Sequence, residues 1–199
     1  MVKDVQQIVN NLLNFYDFKD KTVISVGAGG GQFVAYGYTA KHVIAIDNDQ
    51  MALERLRLVL QEKELDEKFT LIHSDFNDVD VSGDVILFEF CLHEMNDPQR
   101  MIDHALHLAK EVVIVDHGLK SQWAYIAYEE VKAANSWSVV ADNSSVKQKT
   151  FKTEQLFDSY EQLYEKVHVQ GYQSIARIAP YFKQKYISIP MEYTMALLR

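Results

Sequence analysis

Ser25-Val26-Gly27-Ala28-Gly29-Gly30-Gly31-Gln32 decides how this chain reads. An apolar, β-branched run, TVISVG over 22–27, leads into it, and a helical pattern near 31–38 leads out. Four of the eight glycines fall within positions 27–31, at the carboxyl end of a predicted strand and the mouth of a predicted helix. Glycine suits that place because the chain must turn with unusual dihedrals and its backbone must approach a ligand with no Cβ in the way. A helix start behind the loop would offer free N–H groups and partial positive charge to a carboxylate or phosphate. Spacing separates the possible ligands. A dinucleotide fingerprint, G-x-G-x-x-G, requires a third glycine where Gln32 stands, and no Gly-Lys-Ser/Thr follows to make a Walker loop. The chain reads G-x-G-x-G through Gly27, Gly29 and Gly31.

Outward from the loop, further strands are predicted at HVIAID (42–47), FTLIHS (69–74), DVILFEF (84–90) and EVVIVDH (111–117), with helices at 49–64 and 97–110 between them. Near-continuous apolar strands alternating with helices indicate a parallel sheet covered on both faces. Before the first strand, Val5, Ile8, Val9, Leu12 and Leu13 give residues 2–16 the spacing of an amphipathic helix, and the polar residues among them break any signal-peptide run. Beyond 118 the rhythm changes. An aromatic helix is predicted at 121–137, a surface loop at 141–150, a short helix at 153–163 capped by Thr153, and β-like runs at 166–179 and 185–198. So short a link as Phe182 to Gln184 joins antiparallel strands only. The expected fold is α/β: a doubly wound, Rossmann-like three-layer sandwich whose mostly parallel seven-stranded sheet ends in an antiparallel hairpin. Residues 1–199 form a single domain in this reading, with helix 2–16 and an aromatic helical insert at about 119–150 covering the substrate.

Charge and cysteine content narrow the function classes. With 20 Lys+Arg against 28 Asp+Glu the formal net charge is −8, which disfavours a polyphosphate partner. The charge is uneven: residues 1–146 carry 12 basic and 23 acidic groups, and 147–199 carry 8 and 5. Lys183 and Lys185 read as a solvated basic hairpin tip. No stretch is apolar enough to span a membrane. Cys91 is the single cysteine, so no intramolecular disulfide and no cysteine-built metal site is expected, and the compartment is expected to be the cytoplasm.

The glycine loop in this context resembles the first motif of class I S-adenosylmethionine-dependent methyltransferases, with one departure: Ser25 stands where that family usually has an acidic residue. The resemblance covers about residues 22–117 and implies S-adenosyl-L-methionine as cofactor. Gly27, Ala28, Gly29 and Gly31 would line it. Asp47, 47 − 27 = 20 residues after the first glycine, would bind the ribose hydroxyls beside Asn48. Asp75 and Phe76 would meet the adenine amino group and ring face, with Glu89 completing the set. The run Phe88-Glu89-Phe90-Cys91-Leu92-His93-Glu94 is similar to the small-molecule branch, whose fourth strand leads into a turn with a Leu-His pair. It lacks the Asn/Asp-Pro-Pro-aromatic motif of amino-methylating nucleic acid enzymes, and one cysteine does not suit arsenite methylation.

A small organic acceptor is therefore expected, methylated by in-line displacement, with no nucleic acid or membrane partner and a monomer or homodimer as the assembly. Catalytic candidates at the carboxyl edge of the sheet are His93, His117 and Glu89, the histidines because their ordinary pKa lies near neutrality. Trp123, Tyr128 and Tyr16 are the candidates for acceptor binding. His93, Glu94 and His117 have the ligand types of a metal site but no recognised spacing, so no metal is expected. His104 and His107 are expected on an exposed helix face. Two alternatives stand beside this reading: an NAD-dependent oxidoreductase, and a non-catalytic S-adenosylmethionine-binding regulator.

Overall fold

Five short strands rich in Val, Ile and Leu form the parallel centre of the sheet: β1 (Thr22–Val26), β2 (His42–Asp47), β3 (Phe69–His73), β4 (Val85–Glu89) and β5 (Glu111–His117). The computed structural model describes residues 5–143 and 145–199. Two antiparallel strands, β6 (Ser145–Ser159) and β7 (Lys185–Leu198), complete the order β3-β2-β1-β4-β5-β7-β6. β1 lies between β2 and β4, with Val23 opposite both Val43 and Val85, so the strand order reverses there. In open α/β sheets that reversal opens a crevice at the carboxyl ends of the strands.

Alternate strand residues face two separate cores. One packs Val23, Val43, Leu87 and Val113 beneath Ile8 and Leu12 of α1 (Val5–Phe15) and Leu56 and Leu60 of α2 (Gln50–Glu62). The other packs Ile24, Ile86, Phe88 and Ile114 against Met101 and Ile102 of α3 (Pro98–Leu108) and Trp137 of a later helix. Each fully buried side chain of this kind contributes about 1.5–3 kcal/mol, which fixes the register that the site depends on. Asp49 and Asp97 cap α2 and α3 by accepting backbone N–H bonds from Met51 and Arg100.

The α/β class, the seven strands and the terminal antiparallel pair are as expected, but several elements differ. After the glycine loop there is no α-helix, only a 3₁₀ turn at Val34–Tyr38, whose β-branched, aromatic and glycine residues are poor helix formers. The aromatic helix is two helices, α4 (Gln122–Ile126) and α5 (Glu130–Asp142). The break is a Schellman turn: Tyr128 adopts φ +65°, its N–H bonds Tyr125 C=O, and Glu129 N–H bonds Ala124 C=O. The predicted loop at 141–150 and helix at 153–163 are largely strand β6, so Thr153 caps nothing; Ser159 caps α6 (Tyr160–Val167) instead. The β-like run 166–179 is mostly helical, containing α7 (Tyr172–Arg177), so β7 pairs with β6 across the long connection 160–184. Lys185 opens β7 rather than sitting at a hairpin tip. Residues 2–4 of the predicted first helix and Ser144 of the predicted loop lie outside the described residues. Among the described residues no helix is long and apolar enough to cross a membrane.

Candidate active site

At the end of β1 the chain turns through Gly27 at φ +69°, where any Cβ would come within 2.6 Å of Cys91 Cβ. That close approach is what a bare backbone permits, and it leaves Gly27 lining two cavities at once. Gly31, at φ +83°, answers a different need. A Cβ there would stand 2.9 Å from Leu56 Cδ1, so it seats the loop on α2 and lines neither cavity, contrary to its expected place against the cofactor.

The first cavity, about 330 Å³, lies over the ends of β1, β2 and β3 and is lined by Gly27, Asp47, Asn48, Asp75, Phe76 and Cys91 among others. Asp47 ties the walls together: Oδ2 accepts from Gly29 N–H at 2.8 Å and Oδ1 from Asp49 N–H at 2.9 Å. Asp75 accepts from both Asn77 backbone N–H and Asn77 Nδ2 at 2.9 Å, and Phe76 is buried edge-on against Phe88. His104, predicted to be solvated, instead packs its ring edge on Phe76 and lies 3.1 Å from Val79 C=O through Nε2.

The second cavity, about 760 Å³, opens on the other side of Gly27. Its floor is Gly27, Ala28, Gly29 and Glu89, and its walls include Ile8, Phe33, Phe90, Trp123, Phe157 and Met191. Glu89 is the buried charge of this chamber. Its Oε1 accepts from Ser25 Oγ at 2.7 Å and from Tyr36 OH at 2.6 Å. Burial pushes its pKa up to about 7, although the hydroxyls of Tyr36 and Ser25 oppose the rise and Asp47 adds to it. Ser25 thus holds a carboxylate that arrives from the neighbouring strand. Tyr36 is the partner that sequence reasoning missed, since nothing in a 3₁₀ turn signals a bond to a residue 53 positions away.

Next to the chamber, a third cavity of about 200 Å³ is lined by His93, Glu94, His117 and Glu129 together with Phe90 and Trp123. His93 is buried, with Nδ1 at 2.5 Å from Asp116 Oδ1 and Nε2 at 3.3 Å from Glu94 Oε1. Burial alone would lower its pKa, but the carboxylates of Asp116 and Glu94 outweigh this and raise it to about 10. His93 therefore keeps its proton at neutral pH and is a poor base, contrary to the expectation from histidine's ordinary range. His117 lines both this cavity and the chamber, with its Nδ1 buried and without a hydrogen-bond partner among the described residues.

Of the acceptor-binding candidates only Trp123 reaches the chamber. Tyr128 points outward, half exposed, with its ring under the Arg177 guanidinium. Tyr16 bonds Glu111 and Lys21 at the amino-terminal end of β5, the opposite edge of the sheet from the site. Of the described residues in 119–150 Trp123 alone lines the chamber, and α1 and α6 add to its cover through Ile8, Gln162 and Lys166. Glu129 was not visible as a site residue because it reaches the cluster only through the Tyr128 turn.

Residues 24–112 match the profile of a family described as a methyltransferase domain. No curated protein matches the sequence. Among solved structures, a candidate methyltransferase of Bacillus halodurans superposes with a TM-score of 0.75 at 13% identity, over 97% of this chain and 98% of that one. A SAM dependent methyltransferase from Aquifex aeolicus gives 0.59 at 13% identity, over 98% and 90%. Magnesium protoporphyrin IX methyltransferase from Synechocystis, solved with bound SAM, gives 0.56 at 14% identity, over 96% and 77%. At such identities these likenesses speak for the fold, and the matched profile adds a likeness confined to residues 24–112. A bare-backbone cradle at Gly27 between an acid-lined cavity and a buried carboxylate fits the nucleoside and amino acid ends of one cofactor. Over residues 24–112, a little under half of its length, this chain is similar to a methyltransferase domain, and its fold is the one these solved methyltransferase structures have.

Proposed function

We propose that the chain methylates a small organic acceptor held in the chamber on the Glu89 side of Gly27. One observation carries the reading: two cavities of different character meet at a glycine backbone. The acid-lined one suits an adenosine, and the larger, mainly apolar one is roofed by α1, α4 and α6 at a volume suited to a small molecule rather than a polymer. Asp47 and Asn48 would accept from the ribose, Asp75 from the adenine amino group, and Phe76 would lie against the ring. Glu89 would hold the cofactor's ammonium, taking over the duty of the acidic residue that Ser25 replaces. When bound, the cofactor supplies an electrophilic methyl group on a sulfonium. The protein's own work is then positional: Phe90 and Trp123 exclude water, and His117 and Gln155 offer polar contacts to orient the acceptor. The net charge of −8 supports a partner other than nucleic acid.

The test is methyl transfer from labelled S-adenosylmethionine to panels of small molecules, RNA and proteins. Transfer to a small molecule is expected, with Trp123→Ala raising the acceptor's KM about tenfold or more and leaving cofactor affinity within about twofold, the loss of a buried aromatic contact being worth over 1 kcal/mol. Transfer confined to RNA or protein would overturn the reading.

A further inference from the structure

β4 and β5 end side by side, and the turn between α4 and α5 drops a third residue onto them. The result is a buried group of two imidazoles and one carboxylate, His93, His117 and Glu129, whose ligand atoms lie within 4.8 Å of one another. Glu129 Oε2 stands 3.3 Å from His117 Nε2 and 3.8 Å from His93 Nε2. These separations are longer than N–H···O bonds, which cluster at about 2.9–3.0 Å. The two distances to Glu129 are close to what a shared ion requires, and the two imidazoles, within 4.8 Å of each other, would draw together on binding. Donors about 2.1 Å from a tetrahedral zinc lie about 3.4 Å apart.

We propose that His93, His117 and Glu129 bind one divalent transition-metal ion of the zinc type, at the wall of the acceptor chamber. Three features of the surroundings support it. Asp116, fully buried, holds His93 through Nδ1, which is how a ligating imidazole is usually oriented by a carboxylate behind it. Asp116 also accepts the backbone N–H of His93 and of His117 at 3.0 and 2.7 Å, so one carboxylate sets the start of both ligand-bearing segments. Charge points the same way. Glu129 and Asp116 are buried and Glu94 adds a third carboxylate, and among the described residues only Glu94 of the three has a lysine partner, Lys132 at 2.7 Å. A dication in place of the single proton that His93 holds would offset more of this charge. Finally, three protein ligands leave a position for a fourth, and the cluster lines the 200 Å³ cavity, which shares Phe90, Trp123 and Lys166 with the chamber. An acceptor bearing a carboxylate or hydroxyl beside the methylated atom could fill it; this last step rests on the methyl-transfer reading, and the metal site does not.

The experiment uses the full chain, stripped with a chelator and dialysed separately against Zn²⁺, Co²⁺, Mn²⁺ and, without air, Fe²⁺. Retention of about one ion per chain is expected, with visible d–d absorption from bound Co²⁺ and a fall in affinity of at least about tenfold in His117→Ala and in Glu129→Gln. S-adenosylmethionine binding is followed on the same samples, which reports their folding and separates the two proposals. Metal retention without cofactor binding would leave this site standing and remove the methyl-transfer reading. Cofactor binding with no ion retained by the unmodified chain, or retention unchanged in both variants, would overturn the site and leave a proton-holding cluster in its place.

Discussion

At Glu89, burial and function pull in opposite directions. Desolvation raises its pKa from 4.5 to about 7, so between those values the folded chain binds a proton that the unfolded chain has released. Stability from this group is therefore greatest below the unfolded value and falls as pH rises from about 4.5 to about 7, by up to about 3 kcal/mol at 1.36 kcal/mol per unit. A cofactor ammonium beside the carboxylate reverses that preference. Two outcomes follow for the ligand-free and liganded chain. Glu89→Gln, which keeps an oxygen for Ser25 and Tyr36, should flatten the fall in melting temperature over this pH range and weaken S-adenosylmethionine binding about tenfold or more, the worth of a charge-assisted contact. In the unmodified chain, binding near pH 7 should release about half a proton, since the carboxyl is about half protonated there. Calorimetry in buffers of different ionisation enthalpy reads this directly, and binding without proton release would remove Glu89 from the ammonium site. The sequence marked Glu89 as a strand-end carboxylate. It could not show that the hydroxyls of Ser25 and Tyr36 converge on one of its oxygens, because the register of β1 on β4 and the collapse of the next segment into a 3₁₀ turn make that meeting.

Elements were legible where a single face is buried and ends are capped, as in α2 and α3 with Asp49 and Asp97. They were not legible where local preference is overridden. β6 is an edge strand that buries a polar Gln155 beside Phe157 and exposes an apolar Leu156, so its sequence lacks the apolar alternation of a strand and reads as loop and helix. The α4–α5 break hides for a different reason: it is made by a tyrosine in the left-handed region, a place where glycine would announce the turn. Tyr128 pays for that backbone with about 1–2 kcal/mol and recovers part through Arg177, 4.6 Å from its ring centroid and paired with Glu130 at 2.7 and 2.9 Å. Tyr128→Gly should therefore leave stability within about 1 kcal/mol, relief of strain offsetting the lost ring contact, and keep Glu129 in place. Tyr128→Val should cost about 1–3 kcal/mol, because a β-branched residue is poorly tolerated at positive φ. Denaturant midpoints of the two variants check this. Equal losses would mean that the ring contact, not the turn, governs the junction.

Over the whole molecule, the cofactor would bridge the two halves of the sheet that meet at β1, resting on Asp47 from one side and Glu89 from the other. A ligand placed there is held by both halves and so should oppose global unfolding rather than steady one loop. At 100 times its dissociation constant S-adenosylmethionine should add about 2.7 kcal/mol, which for a chain of this size is a rise of about 5–11 °C in melting temperature. S-adenosylhomocysteine should act similarly, since only the methyl group is absent. NAD should not, because Gln32 stands where a dinucleotide's pyrophosphate needs the third glycine, and the α-helix start that would meet that charge is replaced by a 3₁₀ turn. Asp47→Asn weighs binding against a small loss of loop structure. The amide can still accept from Gly29 N–H through its oxygen but loses the bond from Asp49 N–H and offers an N–H toward the ribose, so the rise with S-adenosylmethionine should largely vanish while the ligand-free chain loses about 1 kcal/mol. A full rise in Asp47→Asn would displace the ribose from β2, and a rise with NAD alone would contradict the cofactor and point to the oxidoreductase alternative.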